Sequence, residues 1–184
     1  MAINGSQNGA NFDLDGAIRK VPDFPKPGIL FYDVTGILSK PEAFSYCIER
    51  MLAAYKDTPL DAVAAVEARG FVFAAPFAHA RGLPIILVRK KGKLPGDTIE
   101  RSYSLEYGTA TLEAHRADIR PGARVLVVDD LIATGGTVRA AAEIIREAGA
   151  DPVGVFSVVG LPFLDYRKEI GDMDLVTLIS YHGE

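Results

Sequence analysis

The feature that most constrains the fold is a strand, a glycine-rich loop and a helix in immediate succession. Residues 124–129, RVLVVD, form a nearly continuous apolar run, which is typical of a strand inside a parallel sheet. Residues 135–150, GGTVRAAAEIIREAGA, then place apolar side chains at helical spacing, and Gly149 is suited to end the helix. A strand that leads into a helix in this way predicts one unit of an α/β fold.

Weaker copies of the same alternation flank this unit. FVFAAPFAHARG reads as a helix that Gly82 closes, with Pro76 kinking or delimiting it. Short apolar runs that predict buried strands lie at residues 63–68, 84–89, 153–159 and 174–181. The alternation predicts a doubly wound α/β fold whose sheet is mostly parallel.

Three segments depart from the alternation. The polar residues 1–13 predict a flexible tail and lack the apolar segment of a signal peptide. Within residues 21–34, VPDFPKPGILFYDV, three prolines fall within six positions, too many for regular structure. Residues 97–115, DTIERSYSLEYGTATLEAH, are polar and rich in β-forming residues, which predicts an inserted β-hairpin.

Composition and charge limit the class of protein. The chain of 184 residues is 48% hydrophobic and 24% charged, with a formal net charge of −4, as expected for a soluble globular protein. The negative balance argues against general binding of nucleic acid, and no apolar stretch reaches the roughly 20 residues of a membrane span. The single cysteine, Cys47, excludes an internal disulfide and fits a cytoplasmic protein, and its helical segment favours a packing role.

The central loop has the features of a phosphate-binding turn. Gly135 and Gly136 allow close approach of a ligand to backbone N–H groups at the positive end of the helix dipole, and Thr134 and Thr137 add hydroxyl donors. The Gly-Lys-Ser/Thr ending of a P-loop and the GxGxxG spacing of a dinucleotide site are both missing. The loop therefore indicates a phosphate that belongs to another kind of ligand.

Two adjacent acids before the loop restrict that ligand further. Asp129 and Asp130 would repel a phosphate unless a group between them donated hydrogen bonds, as the diol of a ribose does. The carboxylates could instead gather Mg²⁺ that the ligand brings, or be solvated acids before a capped helix. A ribose with a 5′-phosphate is the ligand that best uses both features.

The string VLVVDDLIATGGTVRAA resembles the phosphoribosyl-pyrophosphate signature of the type I phosphoribosyltransferases. By this resemblance, Asp129 and Asp130 bind the 2′ and 3′ hydroxyls of the ribose. The 5′-phosphate is bound by the residues of the loop: Ala133, Thr134, Gly135, Gly136 and Thr137. Enzymes for several bases and some regulators share this signature, so it identifies one substrate only.

Two further motifs suit the pyrophosphate group. Arg69 and Gly70 follow an apolar strand, where an arginine can bind pyrophosphate oxygens with two hydrogen bonds or be an ordinary surface residue. The family resemblance also implies a cis peptide at Ala68–Arg69. RKKGKLPG is either a solvated charge run or a lid over a polyanion, whose cations are Arg89, Lys90, Lys91 and Lys93.

The segments PDFPKPGILFYDV and RKKGKLPG…SYSLEYGTATLE resemble the adenine-specific branch of the family. This resemblance implies that residues 14–34 form a hood over the base, above a core of residues 35–184 that carries the lid and hairpin at about 89–115. Phe31 would stack on adenine while backbone groups of Leu30 and Tyr32 read its edge. Glu106 would manage the proton of the base, and Tyr107 would close the lid.

The resemblance as a whole implies transfer of a phosphoribosyl group from phosphoribosyl pyrophosphate to adenine, which yields AMP and pyrophosphate with Mg²⁺ as the cofactor. A cytoplasmic homodimer with no nucleic-acid or membrane partner is expected. The alternatives are a transferase for another nucleobase, a regulator that senses phosphoribosyl pyrophosphate without catalysis, and a nucleotide hydrolase. A regulator would be expected to carry a nucleic-acid-binding face, and none is visible in the sequence.

Overall fold

The computed structural model describes residues 12–104 and 108–183, which fall into two compact units. The first unit ends at Tyr46 and the second begins at Cys47. In the first unit, strands β1 (Arg19–Pro22) and β2 (Leu30–Asp33) form an antiparallel pair. Helix α1 (Thr35–Leu38) and the beginning of helix α2 (Pro41–Ala54) follow them.

The prediction that the proline-rich segment lacks regular structure was wrong. Its two ends pair with each other, so that Pro22 lies opposite Leu30 at the last position of β1, a strand end where the missing N–H of proline is tolerated. The turn between the strands is held by Asp23, whose carboxylate accepts the N–H of Gly28 at 2.8 Å. The peptide Phe24–Pro25 within this turn is cis. The prolines therefore occupy a strand end and a turn.

A seven-stranded sheet, in the order β5-β6-β4-β3-β7-β8-β9, forms the centre of the described part of the second unit. Its strands are β3 (Ala62–Val66), β4 (Ile85–Lys90), β5 (Thr98–Ser104), β6 (Thr109–His115), β7 (Arg124–Ile132), β8 (Asp151–Gly160) and β9 (Leu175–Ser180). β3, β4, β7, β8 and β9 are parallel, whereas β5 and β6 run antiparallel at one edge. The helices are α3 (Gly70–Arg81), α4 (Gly136–Glu147) and α5 (Arg167–Ile170).

Apolar side chains cover both faces of this sheet. Ile144 and Ile145 of α4 pack in one buried cluster with Val155 of β8. The next residue of β8, Phe156, points to the opposite face, as alternation along a strand requires, and its ring lies 6.4 Å from that of Tyr55. Tyr55 in turn lies 6.2 Å from Phe77 of α3. The predicted doubly wound, mostly parallel sheet is confirmed.

Several element boundaries refine the predictions. β7 continues three residues beyond 129 to Ile132, which places both acids inside the strand. α3 passes through Pro76 without ending there, and Gly82 closes it with a left-handed backbone, φ 64°. The hairpin of β5 and β6 extends the sheet beside β4, where Arg89 lies opposite Glu113. Cys47 is fully buried in α2, as its packing role requires.

Candidate active site

The predicted acids and loop lie where the strand connections change direction. From β3 the chain crosses through α3 to β4, and from β7 it crosses through α4 to β8 on the other side, although β3 and β7 are neighbours. Ligands of open α/β sheets bind outside the carboxyl ends of the strands at such a point. The candidate site is therefore formed by the residues that follow β3 and by the end of β7.

The two acids of β7 are buried. The side chain of Asp129 accepts the backbone N–H of Asp130 at 2.8 Å through Oδ1. Burial, and then the neighbouring charge of Asp130, raise the pKa of Asp129 well above its usual range. A buried carboxyl pair of this kind stabilises a ligand that donates hydrogen bonds or carries positive charge, and it repels a bare anion.

Arg69 holds Asp130 in this structure. Its Nε lies 2.5 Å from Oδ2 of Asp130, and its side chain is 48% exposed. Arg69 stands directly before α3, after the end of β3, so the pairing links the two strands at the change of direction. The residue predicted to bind pyrophosphate and a residue predicted to bind ribose therefore contact each other.

Gly70 allows α3 to start directly against β7. A Cβ atom at this position would lie 2.7 Å from the carbonyl oxygen of Val128 and 3.1 Å from Cα of Asp129. Real side chains do not make contacts as short as the first, so position 70 must remain glycine while the helix keeps this approach. Gly70 thereby fixes the place of Asp129 relative to α3.

The cis peptide expected at Ala68–Arg69 lies one residue earlier, at Glu67–Ala68. Glu67 continues the β3–β4 pairing, because its N–H donates to the carbonyl oxygen of Val88 at 2.9 Å. The register therefore places the cis bond directly after the last residue that pairs with β4.

The predicted phosphate loop connects β7 to α4. Ile132 ends the strand, Ala133 and Thr134 form the bend, and Gly135 adopts φ 88° before the helix begins at Gly136. Thr134 is exposed and Thr137 is half-buried. The first N–H groups of a helix lack intrahelical acceptors, so backbone donors lie at this loop, and their binding of a phosphate stays a prediction.

The C-terminal segment, to which the sequence assigned no role, packs against this loop. A Cβ atom on Gly135 would meet the carbonyl oxygen of Tyr166 at 2.9 Å and Cβ of Glu169 at 3.1 Å. Glu169 also accepts a 2.6 Å hydrogen bond from Nε of Arg139 on α4. The loop is therefore held between β7 and the segment that contains α5.

The predicted basic residues continue from the end of β4. Arg89 donates to Glu67 through Nε at 3.1 Å and Nη2 at 3.4 Å, and Lys91 lies 2.7 Å from Glu100. Burial favours protonation of Glu67, but hydrogen bonds from Lys90 N–H and the Arg89 side chain hold its pKa below the usual value. The guanidinium of Arg89 is thus hydrogen-bonded to Glu67, whereas the side chains of Lys90, Lys91 and Lys93 are exposed.

The residues predicted to bind the base lie in the first unit, on β2. Phe31 is half-buried, and its ring meets that of Phe24 edge-on at 5.0 Å. Tyr32 is buried, with 5% of its surface exposed. Leu30 and Tyr32 flank Phe31 on the strand, so their side chains point away from the face that Phe31 occupies.

Glu106 and Tyr107, the predicted catalytic and lid residues, lie outside the described residues. They belong to the connection between the end of β5 at Ser104 and the start of β6 at Thr109. Two acids that the sequence analysis missed are Glu67 and Glu113. Glu113 carried no usable signal, because alternation along TATLEAH places it with Thr111 and His115, opposite Leu112 and Ala114, and its burial depends on the turn that packs against it.

Two further features concern metal binding and membrane crossing. Over residues 12–104 and 108–183, no three His, Cys, Asp or Glu side chains come together in a way that could hold a metal ion. In the same ranges, no helix has the length and apolar surface needed to cross a membrane.

Comparison with known proteins agrees with this geometry. The profile of the phosphoribosyl transferase domain family matches residues 37–180. An adenine phosphoribosyltransferase of Treponema denticola is 61% identical over 171 residues, which are 93% of this chain and 90% of the relative.

Solved structures show the same likeness. The adenine phosphoribosyltransferase of Thermoanaerobacter pseudethanolicus has a TM-score of 0.88 at 43% identity, covering 91% of this chain and 98% of its own. That of Saccharomyces cerevisiae, solved with an imino-altritol bisphosphate and adenine, has a TM-score of 0.84 at 35% identity, covering 90% and 96%. The chain therefore belongs to the phosphoribosyl transferase domain family and, within it, to the adenine phosphoribosyltransferases.

Proposed function

We propose that this protein transfers the phosphoribosyl group of phosphoribosyl pyrophosphate to adenine, producing AMP and pyrophosphate in purine salvage. The observation that carries the proposal is the buried pair Asp129 and Asp130 beside the loop at the start of α4. This arrangement suits a ribose diol and a 5′-phosphate on the same ligand. The relatives named for this activity support adenine as the acceptor.

In the proposed reaction, the bond between C1 of the sugar and the pyrophosphate oxygen breaks, and its electron pair leaves with pyrophosphate. N9 of adenine forms the new bond to C1, and the base gives up its imidazole proton. We assign the acceptance of this proton to Glu106, as the family resemblance implies. A side chain positioned to transfer a proton typically contributes about 10²–10⁴-fold to the rate of an enzyme. Tyr107 is assigned to closing the lid over the site.

The phosphoribosyl group is assigned to the end of β7 and the loop. Asp129 and Asp130 accept from its 2′ and 3′ hydroxyls. The 5′-phosphate is bound by Ala133, Thr134, Gly135, Gly136 and Thr137. Tight packing behind Gly135 supports this role, since even a Cβ atom there would lie only 2.9 Å from the carbonyl oxygen of Tyr166, and the loop has little freedom to shift.

The pyrophosphate is assigned to Arg69, Gly70 and the cations at the end of β4. Arg69 is paired with Asp130 in this structure. In the proposed complex this contact is replaced by two others, because Asp130 accepts from the ribose hydroxyls and Arg69 donates to the pyrophosphate oxygens. Lys90, Lys91 and Lys93 add charge from exposed positions. Arg89 adds a further positive charge beside these lysines while it pairs with Glu67. We assign any direct contact with the ligand to those N–H groups of Arg89 that do not bind Glu67.

Adenine is assigned to Phe31, on which it stacks, and to backbone groups of Leu30 and Tyr32. Burial of the Tyr32 side chain supports a backbone role at this position. Mg²⁺ enters as a partner of the pyrophosphate, since magnesium commonly binds through substrate phosphates and few protein carboxylates. We also propose a homodimer and a cytoplasmic location.

The test is an assay of the purified protein with Mg²⁺ and phosphoribosyl pyrophosphate, offered each common nucleobase in turn. We expect adenine alone to give its nucleotide at an appreciable rate, with AMP and pyrophosphate formed in equal amounts. Efficient use of another base would reassign the acceptor. Tight binding of phosphoribosyl pyrophosphate without any nucleotide product would favour a sensor.

A further inference from the structure

A buried acid lies behind the basic turn that follows β4. Glu113, on β6, is 3% exposed. Its neighbours Leu112 and Ala114 belong to the apolar cluster on the α4 face, so Glu113 points to the other side of the strand. There it lies between Arg89 on β4 and Glu100 on β5, its partners in strand register.

The carboxylate of Glu113 gathers the backbone donors of the turn. Oε1 accepts the N–H of Lys93 at 2.8 Å and that of Leu94 at 2.7 Å, and the nearby backbone N–H of Gly92 also helps to lower the pKa of this side chain. Gly92 has φ 82°. A left-handed residue in a turn directs successive N–H groups toward one point and forms an anion-binding concavity. In this protein the anion in the concavity is Glu113.

The turn is also held through its carbonyl side. Nη1 of Arg89 donates to the carbonyl oxygen of Lys93 at 3.1 Å, while Glu67 anchors Arg89. The N–H of Lys91 donates to the carbonyl oxygen of Thr111 at 2.9 Å. Both backbone groups of Lys93 are therefore fixed, and its side chain extends into solvent.

Stability alone does not account for a carboxylate at this position. Burial penalises a charged group, and the exposed turn residues 92 and 93 could hydrogen-bond to water in its absence. Although burial would raise the pKa of Glu113, the hydrogen bonds from Leu94, Gly92 and Lys93 hold it below the usual value. The group is therefore an anion whose evident effect is to fix the direction of the turn.

We infer that Glu113 is a positioning residue that orients the turn 91–94 so that the Lys91 and Lys93 side chains meet the pyrophosphate of the substrate. The inference rests on the proposed function for its ligand, but the order of the turn is a property of the protein alone. Glu113 itself does not touch the substrate, because its carboxylate faces the backbone of the turn.

The first measurement is amide hydrogen exchange of residues 92–94, followed by NMR, in Glu113→Gln and Glu113→Ala. The amides should exchange about tenfold or more faster in the alanine variant, since a hydrogen bond to a charged acceptor is lost, and by an intermediate factor in the glutamine variant, which keeps a neutral acceptor. Glu100→Gln is the matched control. It removes the partner of the Lys91 side chain and should leave the protection of amides 92–94 unchanged.

The second measurement compares ligand binding. In Glu113→Gln, calorimetry with Mg-pyrophosphate should show affinity lowered about tenfold, and KM for phosphoribosyl pyrophosphate should rise similarly with kcat little changed, as expected when uniform binding is lost. KM for adenine should not move. A residue that only stabilised the fold would change the melting temperature and leave these constants of the folded enzyme unchanged.

Unchanged exchange at 92–94 in Glu113→Gln would overturn the inference, and so would faster exchange together with wild-type affinity for Mg-pyrophosphate. Should Glu113→Ala fail to fold, the glutamine variant decides, because it keeps the size of the side chain. A wild-type protein that formed no AMP would refute the proposed function alone. The exchange and pyrophosphate-binding results would still decide the role of Glu113.

Discussion

Replacing Gly70 by alanine tests the close contact between α3 and the end of β7. The added Cβ would lie 2.7 Å from the carbonyl oxygen of Val128 and 3.1 Å from Cα of Asp129, whereas ordinary van der Waals contact begins at 3.4 Å. Both neighbours are backbone atoms inside a parallel strand, so neither can rotate away as a side chain would. The helix or the strand must move by several tenths of an ångström.

The size of the effect follows from two opposing terms. Overpacking of a well-filled interior is typically destabilising by about 1–3 kcal/mol. Alanine recovers at most about 0.5–1 kcal/mol over glycine in a helix. We therefore expect the free energy of unfolding to fall by roughly 1–2 kcal/mol. Because the shift acts on Asp129 itself, affinity for phosphoribosyl pyrophosphate should fall about tenfold or more, as misplacement of binding groups generally causes.

Urea denaturation gives the first quantity and titration calorimetry with Mg-phosphoribosyl pyrophosphate gives the second. Gly154→Ala is the matched control on the same sheet. A Cβ at position 154 would meet its nearest neighbours at 3.6 Å, an ordinary contact distance, and Gly154 is not among the glycines with positive φ. If Gly70→Ala matched Gly154→Ala in both stability and affinity, the close approach would not be what places Asp129.

Four other outcomes are expected. Asp129→Asn and Asp130→Asn should each weaken binding of phosphoribosyl pyrophosphate and AMP about tenfold or more by calorimetry, since a charged hydrogen bond contributes about 1.5–3 kcal/mol; normal binding would exclude the diol assignment. Because the pKa of Asp129 is raised in the folded protein, the native state binds more protons than the unfolded chain, and stability should fall as pH rises above the usual carboxyl range. Asp129→Asn should flatten that fall in denaturation curves recorded between acid and neutral pH, and an unchanged curve would contradict the raised pKa. Glu106→Gln should lower turnover by about 10²–10⁴-fold in a steady-state assay with little loss of binding, and equal turnover would remove Glu106 from the mechanism. Lys91→Ala or Lys93→Ala should raise KM for phosphoribosyl pyrophosphate and reduce its salt dependence, with KM for adenine as the internal control.

Local sequence patterns predicted the elements that carry the site. Three local patterns were enough: the apolar run of β7, the glycines of the loop and the helical spacing of α4. Each pattern covers only a short window of sequence, and secondary structure can be predicted from such windows. The same holds for the antiparallel pair β5 and β6, whose β-forming residues lie within one short segment of the chain. The placement of Asp129 near the strand end and of Gly135 in the loop could be predicted because strand, loop and helix start are consecutive in the chain.

Contacts between distant residues could not be predicted in this way. Arg69 and Asp130 are 61 residues apart, and Glu113 is 20 residues from Lys93. Neither pairing leaves a periodic trace in the sequence, because each depends on which strands are neighbours. The prediction for the proline-rich segment was wrong for a related reason. Its local composition indicated irregular structure, but its two ends form strands because they pair with each other, with Pro22 opposite Leu30.

The pairing of Arg69 with Asp130 has a consequence for ligand choice under the proposed function. Without a ligand, the guanidinium compensates a buried carboxylate that would otherwise be strongly destabilising. A sugar that offered only hydroxyls would leave Arg69 without its acidic partner, and an isolated pyrophosphate would leave Asp130 without its donor. Under the proposed assignment, a ligand that carries a diol and a neighbouring polyanion would offer each group a new partner after they separate. Under the same assignment, departure of pyrophosphate would allow Arg69 to pair with Asp130 again, and we expect this pairing to compete with the hydrogen bonds between Asp130 and the ribose of AMP.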